Sequence, residues 1–149
     1  MSFSKRSDDT GSRLRGDDYT KEPCMSARTP GDVDRLFAQY LNAGKLEELV
    51  ALYEPEASLM PAPGKLVSGT AAIRESLTGL LAGKPKMTLT ARLVAQSGEL
   101  AVTSAKWEMS MTGPDGKAAN MTGESVEVVR RQADGSWRVI IDLPFGAAA

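Results

Sequence analysis

The sequence contains no histidine, and this absence excludes several kinds of chemistry. Without an imidazole the chain cannot form a Ser-His-Asp or Cys-His catalytic group, and nearly all zinc sites are excluded as well. Any acid–base chemistry must therefore use carboxylates, tyrosine, lysine or water.

Cysteine is almost absent too, because Cys24 is the only one in the chain. No internal disulfide can form, so cysteine usage argues neither for nor against secretion. There is no apolar run long enough to span a membrane and no secretory hydrophobic region at the N-terminus. We therefore expect a cytoplasmic protein.

Charge of one sign is also lacking. The formal net charge is −1, and lysine and arginine form no block in the part that we expect to fold. Nucleic acid and anionic membranes attract proteins through such basic patches. We therefore expect neither as a partner.

The 149 residues suffice for one domain with a sizeable core. Residues 1–28 mix acidic and basic side chains and carry too few apolar residues to offset the entropy of ordering them. We predict a disordered N-terminal arm over residues 1–28 and a single domain over residues 29–149.

Three helices are predicted at the start of this domain, the first with Thr29 as its N-cap and Pro30 at its first position. A second short helix is predicted to end at Pro55, and a third to begin at Thr70 and end near Gly83. The helical spacing is carried by three apolar stripes: Val33, Leu36, Phe37, Tyr40 and Leu41; Leu46, Leu49, Val50 and Tyr53; Ile73, Leu77, Leu80 and Leu81.

Strands are predicted in the remaining segments. Two short ones cover residues 57–60 and 65–67, and from Lys86 onward apolar and polar residues alternate with a period of two. Turn sequences at Gly98, Gly116 and Gly135 divide this stretch into four long antiparallel strands in a meander. Helices followed by such a meander indicate an α+β fold.

Three segments resemble the nuclear transport factor 2-like superfamily, which includes ketosteroid isomerases and SnoaL-type polyketide cyclases. They are YLNAGKLEELVALYEPEA (residues 40–57), GKLVSGTAAIRESL (64–77) and GESVEVVRRQADGSWRVIIDLPFG (123–146). The resemblance implies a cystatin-like cone in which three N-terminal helices pack on a strongly curved, mostly antiparallel sheet. It also implies one small-ligand pocket and a homodimer formed through the outer face of the sheet.

The resemblance allows the isomerase mechanism to be tested position by position. That mechanism uses an Asp base and an oxyanion hole made of a Tyr and a protonated Asp. The family's helix-one tyrosine falls on Phe37, its base on Pro61 and its protonated acid near Glu127. Two of the three roles are missing, so we do not expect steroid isomerisation by that mechanism.

Glu127 and Asp142 are the candidate catalytic residues. Glu127 lies in mid-strand on the face shared with Ser125 and Val129, where it either enters the pocket or forms a salt bridge on a solvated face. Strict alternation places Asp142 on the opposite face of its strand from Val139. Either a role in the pocket or a structural partner would explain an aspartate in so apolar a segment.

Six further residues are predicted to contact a ligand: Phe37, Tyr40, Tyr53, Met60, Trp107 and Met109. The resemblance places Trp107 in the pocket wall, although a core tryptophan under the helices is the other interpretation. Both tyrosines complete apolar stripes, so either is a core residue whose hydroxyl could reach the cavity. Trp137 is predicted to pack in the core or in a dimer. No metal site is expected, because nothing in the spacing of Glu124, Glu127 and Asp142 specifies one.

The sequence thus predicts a domain that binds a small apolar or amphipathic molecule. If it is an enzyme, we expect isomerisation, cyclisation or dehydration without a cofactor, with Glu127 or Asp142 as acid or base. The alternative is a non-catalytic dimerisation or assembly module whose cavity is filled by Trp107, Met109 and Phe37. An open cavity containing a carboxyl of raised pKa favours the first interpretation.

Overall fold

The computed structural model describes residues 26–148, so the predicted disorder of residues 1–25 lies outside the described part of the chain. Three helices precede the long strands, as predicted. They are α1 (Asp32–Ala43), α2 (Leu46–Val50) and α3 (Thr70–Ala82), and a short 3-10 helix (Gly146–Ala148) follows the last strand.

One six-stranded sheet carries the helices, in the order β2-β1-β6-β5-β4-β3. Its strands are β1 (Tyr53–Ala62), β2 (Lys65–Ser68), β3 (Lys86–Ser97), β4 (Leu100–Thr112), β5 (Ala118–Arg131) and β6 (Trp137–Leu143). Every neighbouring pair is antiparallel except β1 with β6. The predicted α+β cone, with a meander of four long strands, is confirmed.

Helix α1 is held against the sheet by its apolar stripe and by hydrogen bonds of the Asn42 side chain. Val33, Leu36, Tyr40 and Leu41 are all buried. At the end of the helix, the Asn42 side chain donates to the carbonyl of Met87 (2.9 Å) and accepts from its backbone N–H (2.6 Å). This pair of bonds fixes α1 over the start of β3 and so encloses the space between them.

Two predicted helix boundaries were wrong. Helix α1 has Gly31, not Thr29, at its N-cap, and the Asp32 carboxylate accepts the N–H groups of Arg28 and Thr29 instead. Tyr53 does not extend α2 but begins β1, and Pro55 lies inside that strand. The β1–β6 register is irregular between Tyr53 and Ser58, where a residue without an N–H is tolerated.

The packed part of the chain also begins before residue 29. Ala27 is buried, and its carbonyl accepts the backbone N–H of Trp137 at 2.9 Å. Trp137 is itself buried in the core, which was one of its two predicted positions. Within residues 26–148, no helix has the length and apolar character needed to cross a bilayer.

Candidate functional site

A cavity of about 320 Å³ lies between the helices and the concave face of the sheet. Its lining includes four of the six residues predicted to contact a ligand, namely Phe37, Tyr53, Trp107 and Met109. Both candidate carboxylates, Glu127 and Asp142, line it as well. The cavity is therefore open and not filled by its own side chains.

Trp107 forms a fixed wall of this cavity. Its Nε1–H donates to the carbonyl of Pro144 at 2.8 Å, and its ring meets that of Phe145 edge-on, with centroids 5.7 Å apart. On the adjacent strand, Gly123 leaves room for the indole, since an added Cβ there would lie 2.5 Å from Cζ2. The tryptophan is thus both a core residue and a cavity wall, which unites the two interpretations of the sequence.

Tyr40 and Met60 lie outside the cavity lining. Tyr40 is buried and borders a separate pocket, together with Leu52 and Trp137. The hydroxyl that reaches the cavity is that of Tyr53. This residue lies in β1 and not in the predicted helix, next to β6 in the sheet. Tyr53 therefore brings a tyrosine hydroxyl to the cavity from β1, whereas Phe37 on α1 has none.

Three carboxyl groups converge in the cavity, from α1 (Asp34), β5 (Glu127) and β6 (Asp142). Glu127 and Asp142 are direct partners in the sheet register, and Thr103 is the partner of Glu127 on the other side. The Thr103 hydroxyl donates to Glu127 Oε1 at 3.0 Å, and the Tyr53 hydroxyl donates to Asp142 Oδ2 at 2.6 Å. Asp34 completes the group by hydrogen bonding with Glu127.

Asp142 reaches the cavity because of a β-bulge, so its predicted orientation was wrong. Val128 pairs with Ile141, but the next residue, Val129, pairs with Val139, which leaves Ile140 as an extra residue in β6. The extra residue reverses the alternation. Ile141 is consequently 40% exposed, while Asp142 is buried on the same face as Val139.

Glu127 points inward together with Ser125 and Val129, as the first interpretation of the sequence held. Within residues 26–148 the competing salt bridge does not form, because no lysine or arginine of this part of the chain lines the cavity. Its hydrogen-bond partners are Thr103, Ser125 and Asp34, which are either neutral or acidic.

Burial without a counter-charge raises the pKa of all three carboxyls. Desolvation is the main cause in each case. It raises the pKa of Glu127 to about 10, with the negative charges of Asp142 and Asp34 adding to the effect. It raises the pKa of Asp142 to about 7 and that of Asp34 to about 6, against the lowering effect of the bonds that each accepts.

These directions assign the protons at neutral pH. Glu127 is the protonated member, and it donates to the ionised Asp34. Asp142 titrates near neutrality and accepts from Tyr53, whose own pKa is raised by burial and by Asp142, so that the phenol stays neutral. The site therefore holds a proton donor and two proton acceptors side by side in an apolar enclosure.

Asp34 is the site residue that sequence reasoning missed. Acidic residues are common in the first turn of a helix, where the macrodipole favours them, and this gave no reason to place Asp34 inside. A signal was nevertheless present, because Asp34 lies three residues before Phe37 and seven before Leu41, on the stripe that faces the sheet.

Asp34, Glu127 and Asp142 are not arranged as a metal site. Among residues 26–148 there is no group of three or more histidine, cysteine, aspartate or glutamate side chains arranged to hold a metal ion. Glu124, the third residue of the metal set considered from the sequence, is exposed and lies three residues from Glu127, on the opposite face of β5.

Comparison with known proteins gives the family. The model of the SnoaL-like domain matches residues 33–140, and the chain belongs to this family. Among curated proteins, none matches the sequence significantly.

Solved structures share the fold at low identity. A candidate dehydratase of the NTF2-like family from Streptomyces avermitilis is 18% identical, with a TM-score of 0.66 over 75% of this chain and 89% of that one. A ketosteroid isomerase-like protein from Erwinia carotovora atroseptica is also 18% identical, with a TM-score of 0.66 over 74% and 88%. A candidate calcium/calmodulin-dependent protein kinase II association domain from Xanthomonas campestris is 22% identical, with a TM-score of 0.62 over 74% and 80%.

Proposed function

We propose that this protein is a cofactor-independent acid–base enzyme that acts on a small apolar or amphipathic molecule, by dehydration, isomerisation or cyclisation. One observation carries the proposal: the carboxyl groups of Asp34, Glu127 and Asp142 meet in an open apolar cavity, where burial raises the pKa of Glu127 above those of the other two. Titratable groups whose environments drive their pKa values apart are typical of acid–base active sites.

Asp142 is the proposed base. A general base works best when its pKa lies near the operating pH, and the pKa of Asp142 is about 7. The Tyr53 hydroxyl holds one of its oxygens at 2.6 Å and leaves the other to receive a proton from a substrate carbon. The isomerases have their base at the position of Pro61 in β1. In this protein the proposed base, Asp142, lies in β6 of the same cone.

Glu127 is the proposed acid. It retains its proton at neutral pH and can pass it to a substrate oxygen, either a departing hydroxyl or a forming enol. In a dehydration the departing hydroxyl leaves as water, and the proton held by Asp142 then passes to the Glu127 carboxylate, its neighbour in the sheet register. In an isomerisation Asp142 returns its proton to another carbon, and the enol returns its proton to Glu127. The apolar walls supply binding energy and exclude water, which strengthens each of these interactions.

Two of the structural neighbours support this chemistry by their descriptions, one as a candidate dehydratase and one as ketosteroid isomerase-like. The association-domain neighbour supports the alternative of an assembly module. We favour the enzyme because the predicted filling of the cavity by Phe37, Trp107 and Met109 has not occurred.

The test begins with a thermal-shift screen of cyclic ketones, hydroxyketones and polyketide-like phenols. Each binder is then incubated in heavy water, and exchange of its carbon-bound hydrogens is followed by NMR. We expect exchange or conversion with the wild type, reduced about 10²- to 10⁴-fold in Glu127→Gln and Asp142→Asn.

Glu124→Gln is the matched control, because it changes an exposed glutamate of the same strand. It should behave as the wild type does. Binding by all four proteins with no exchange or conversion in the wild type would contradict catalysis and leave a binding protein.

We also propose that the protein forms a homodimer through the outer face of the sheet, as the resemblance implied. Val102, Val128 and Ile141 are neighbours in the register and form an apolar row on that face. The measurement is the molar mass in solution by light scattering. We expect a dimer for the wild type and a monomer for Ile141→Lys, and a monomeric wild type would exclude this part of the proposal.

A further inference from the structure

The cavity runs along the inner face of β4 and β5, with a closed end and an open end. Along β5 the residues that line it become less buried, from Glu127, which is 4% exposed, to Met121, which is 36% exposed. A strand rises about 3.4 Å per residue, so the stretch of β5 between these two positions spans about 20 Å. The carboxyl groups thus lie at the closed end, and the open end lies near Met121.

Trp107 lies between these two ends. Its partner in the register of β4 and β5 is Gly123. Met121 and Ser125, two residues to either side, line the cavity, but Gly123 does not. The indole covers this glycine so closely that an added Cβ would lie 2.5 Å from Cζ2, 2.7 Å from Cε2 and 3.0 Å from Nε1.

The position of the indole therefore depends on the Cβ that Gly123 lacks. Carbon atoms in contact stay about 3.5–4.0 Å apart, so Gly123→Ala would displace the ring by about 1 Å or more. Strand β5 closes one side of the ring, and the carbonyl of Pro144 and the ring of Phe145 hold its edge. The displaced ring would move away from the strand, into the cavity.

The dimensions of the cavity make this displacement important for a ligand. A volume of about 320 Å³ is near the lower limit for small-molecule sites, although the lining extends along about 20 Å of β5. A ligand that fills this space must pass Trp107, which has the largest side chain of the lining. How far the indole projects thus decides how wide a ligand can pass.

We propose that Gly123 is a specificity-determining residue: it lets Trp107 lie back against β5 and so admits a ligand that extends past the indole. The ligand class is a molecule with its polar reacting group at one end and a slender apolar chain behind it. The inference deepens the proposed function and rests on its ligand-binding part.

The experiment measures dissociation constants of methyl butyl, methyl hexyl and methyl octyl ketone by NMR titration. In the wild type we expect each lengthening to raise the affinity at least about threefold, because the added methylenes are removed from water. In Gly123→Ala, methyl butyl ketone should bind within about threefold of the wild type, whereas methyl octyl ketone should bind at least about tenfold more weakly.

A double-mutant cycle with Trp107→Phe isolates the contact between the two positions. The phenyl ring lacks the part of the indole that an added Cβ at position 123 would meet. In the Trp107→Phe background, Gly123→Ala should therefore change the affinity for methyl octyl ketone by less than about threefold. A role of Gly123 in packing alone would weaken all three ketones alike in the wild-type background.

Gly79→Ala is the matched control. Gly79 lies on α3, outside the cavity lining, and an added Cβ there would meet no atom within 4 Å. This variant should bind all three ketones as the wild type does.

If Gly123→Ala does not fold, Trp107→Phe alone tests the proposal from the opposite direction. Its smaller ring should widen the passage. A methyl ketone whose chain ends in a cyclohexyl ring should then gain at least about threefold in affinity relative to methyl butyl ketone. The absence of any gain would overturn the proposal.

The outcomes separate the inference from the function on which it rests. If Gly123→Ala weakens all three ketones alike, or if affinity in the wild type does not rise with chain length, the role of Gly123 is overturned while the binding cavity stands. If the wild type binds none of the ketones, the small-ligand function is contradicted as well. Catalysis is measured separately, by hydrogen exchange in heavy water.

Discussion

The acids inside the cavity differ in two respects from Glu54 and Glu99, the rim acids, which lie outside the cavity lining. The inner acids are more deeply buried, and only the rim acids are paired with arginine. Outside the cavity, Arg130 donates two hydrogen bonds of 2.9 Å to Glu54, and Arg131 forms a salt bridge with Glu99 at 2.7 Å. These partners lower the pKa of both glutamates. Inside, burial raises the pKa of Glu127 to about 10, and the described lining of the cavity contains no lysine or arginine to lower it.

The difference does not arise from a shortage of arginine in that part of the chain. Strand β5 contains Glu127 and, three and four residues later, Arg130 and Arg131, whose side chains reach the rim. Carboxyls that serve stability are usually paired or solvated. Three acids in one apolar cavity, with no lysine or arginine in its described lining, therefore indicate a functional site.

The largest expected effect is on stability against pH. Asp34, Asp142 and Glu127 each have a higher pKa in the folded protein than in the unfolded chain. Their contribution to the stability of the folded state is therefore complete below about pH 4, where they are protonated in both states. It is lost as the pH rises through about 6, 7 and 10. Between about pH 5 and pH 9 we expect the free energy of unfolding to fall by on the order of 3 kcal/mol or more. Urea denaturation at several pH values measures this loss.

The rim acids act in the opposite direction. A carboxyl whose pKa is lowered on folding, such as Glu54, stabilises the folded protein at pH values above its unfolded pKa, and this contribution is lost on acidification. Flat stability between about pH 5 and pH 9 would mean that the interior carboxyls are not desolvated, and the contrast between the two regions would not hold.

The next effect is that of Glu127→Gln. The amide can still donate to Asp34 and accept from Thr103, but it has no proton to lose. We expect this variant to be more stable than the wild type by at least about 2 kcal/mol at alkaline pH, and close to it at about pH 5. Glu124→Gln, measured in the same way, should follow the wild type throughout.

A smaller effect is expected for Tyr53→Phe. The phenol donates to Asp142, and a hydrogen bond to an ionised group contributes roughly 1.5–3 kcal/mol. The loss should be greater at alkaline pH, where Asp142 is ionised, than at about pH 5. An equal loss at both pH values would point to packing alone as its cause. The pKa of Asp142, followed by carbon-13 NMR, should rise in the variant.

The smallest effect is expected on the rim. Glu54→Gln weakens its two bonds with Arg130, whose side chain is 48% exposed, while the half of the contact made by Gln132 can persist. Ion pairs with a solvated partner contribute about 1 kcal/mol or less, so the free energy of unfolding, measured by urea denaturation, should fall by less than in Tyr53→Phe. A loss as large as that in Tyr53→Phe would show that the pair of Glu54 with Arg130 contributes as much as the hydrogen bond inside the cavity.

Much of the fold could be predicted from the sequence because its periodicities are regular. The strands from Lys86 onward alternate cleanly, and the start of α3 at Thr70 follows from its spacing. Tyr53 was misplaced because its position fits a helical stripe equally well, and only its packing beside Val139 in the sheet decides between helix and strand.

The candidate site could be predicted only in part. Glu127 follows from simple alternation within β5. Asp142 was identified by its residue type, but its direction depends on the bulge at Ile140, which the sequence does not reveal. Asp34 requires knowledge of which helix face meets the sheet, and its position in a first turn concealed it.

The bulge at Ile140 means that the contents of the cavity depend on strand length as well as on residue identity. Removal of one residue between Val139 and Asp142 would restore alternation and turn the aspartate to the outside, with every side chain of the site unchanged. Within such a family, a single codon lost or gained in the last strand can switch a reactive group out of the interior or into it. Relatives are therefore best compared by counting residues along this strand, because two chains with the same aspartate can present it to opposite sides.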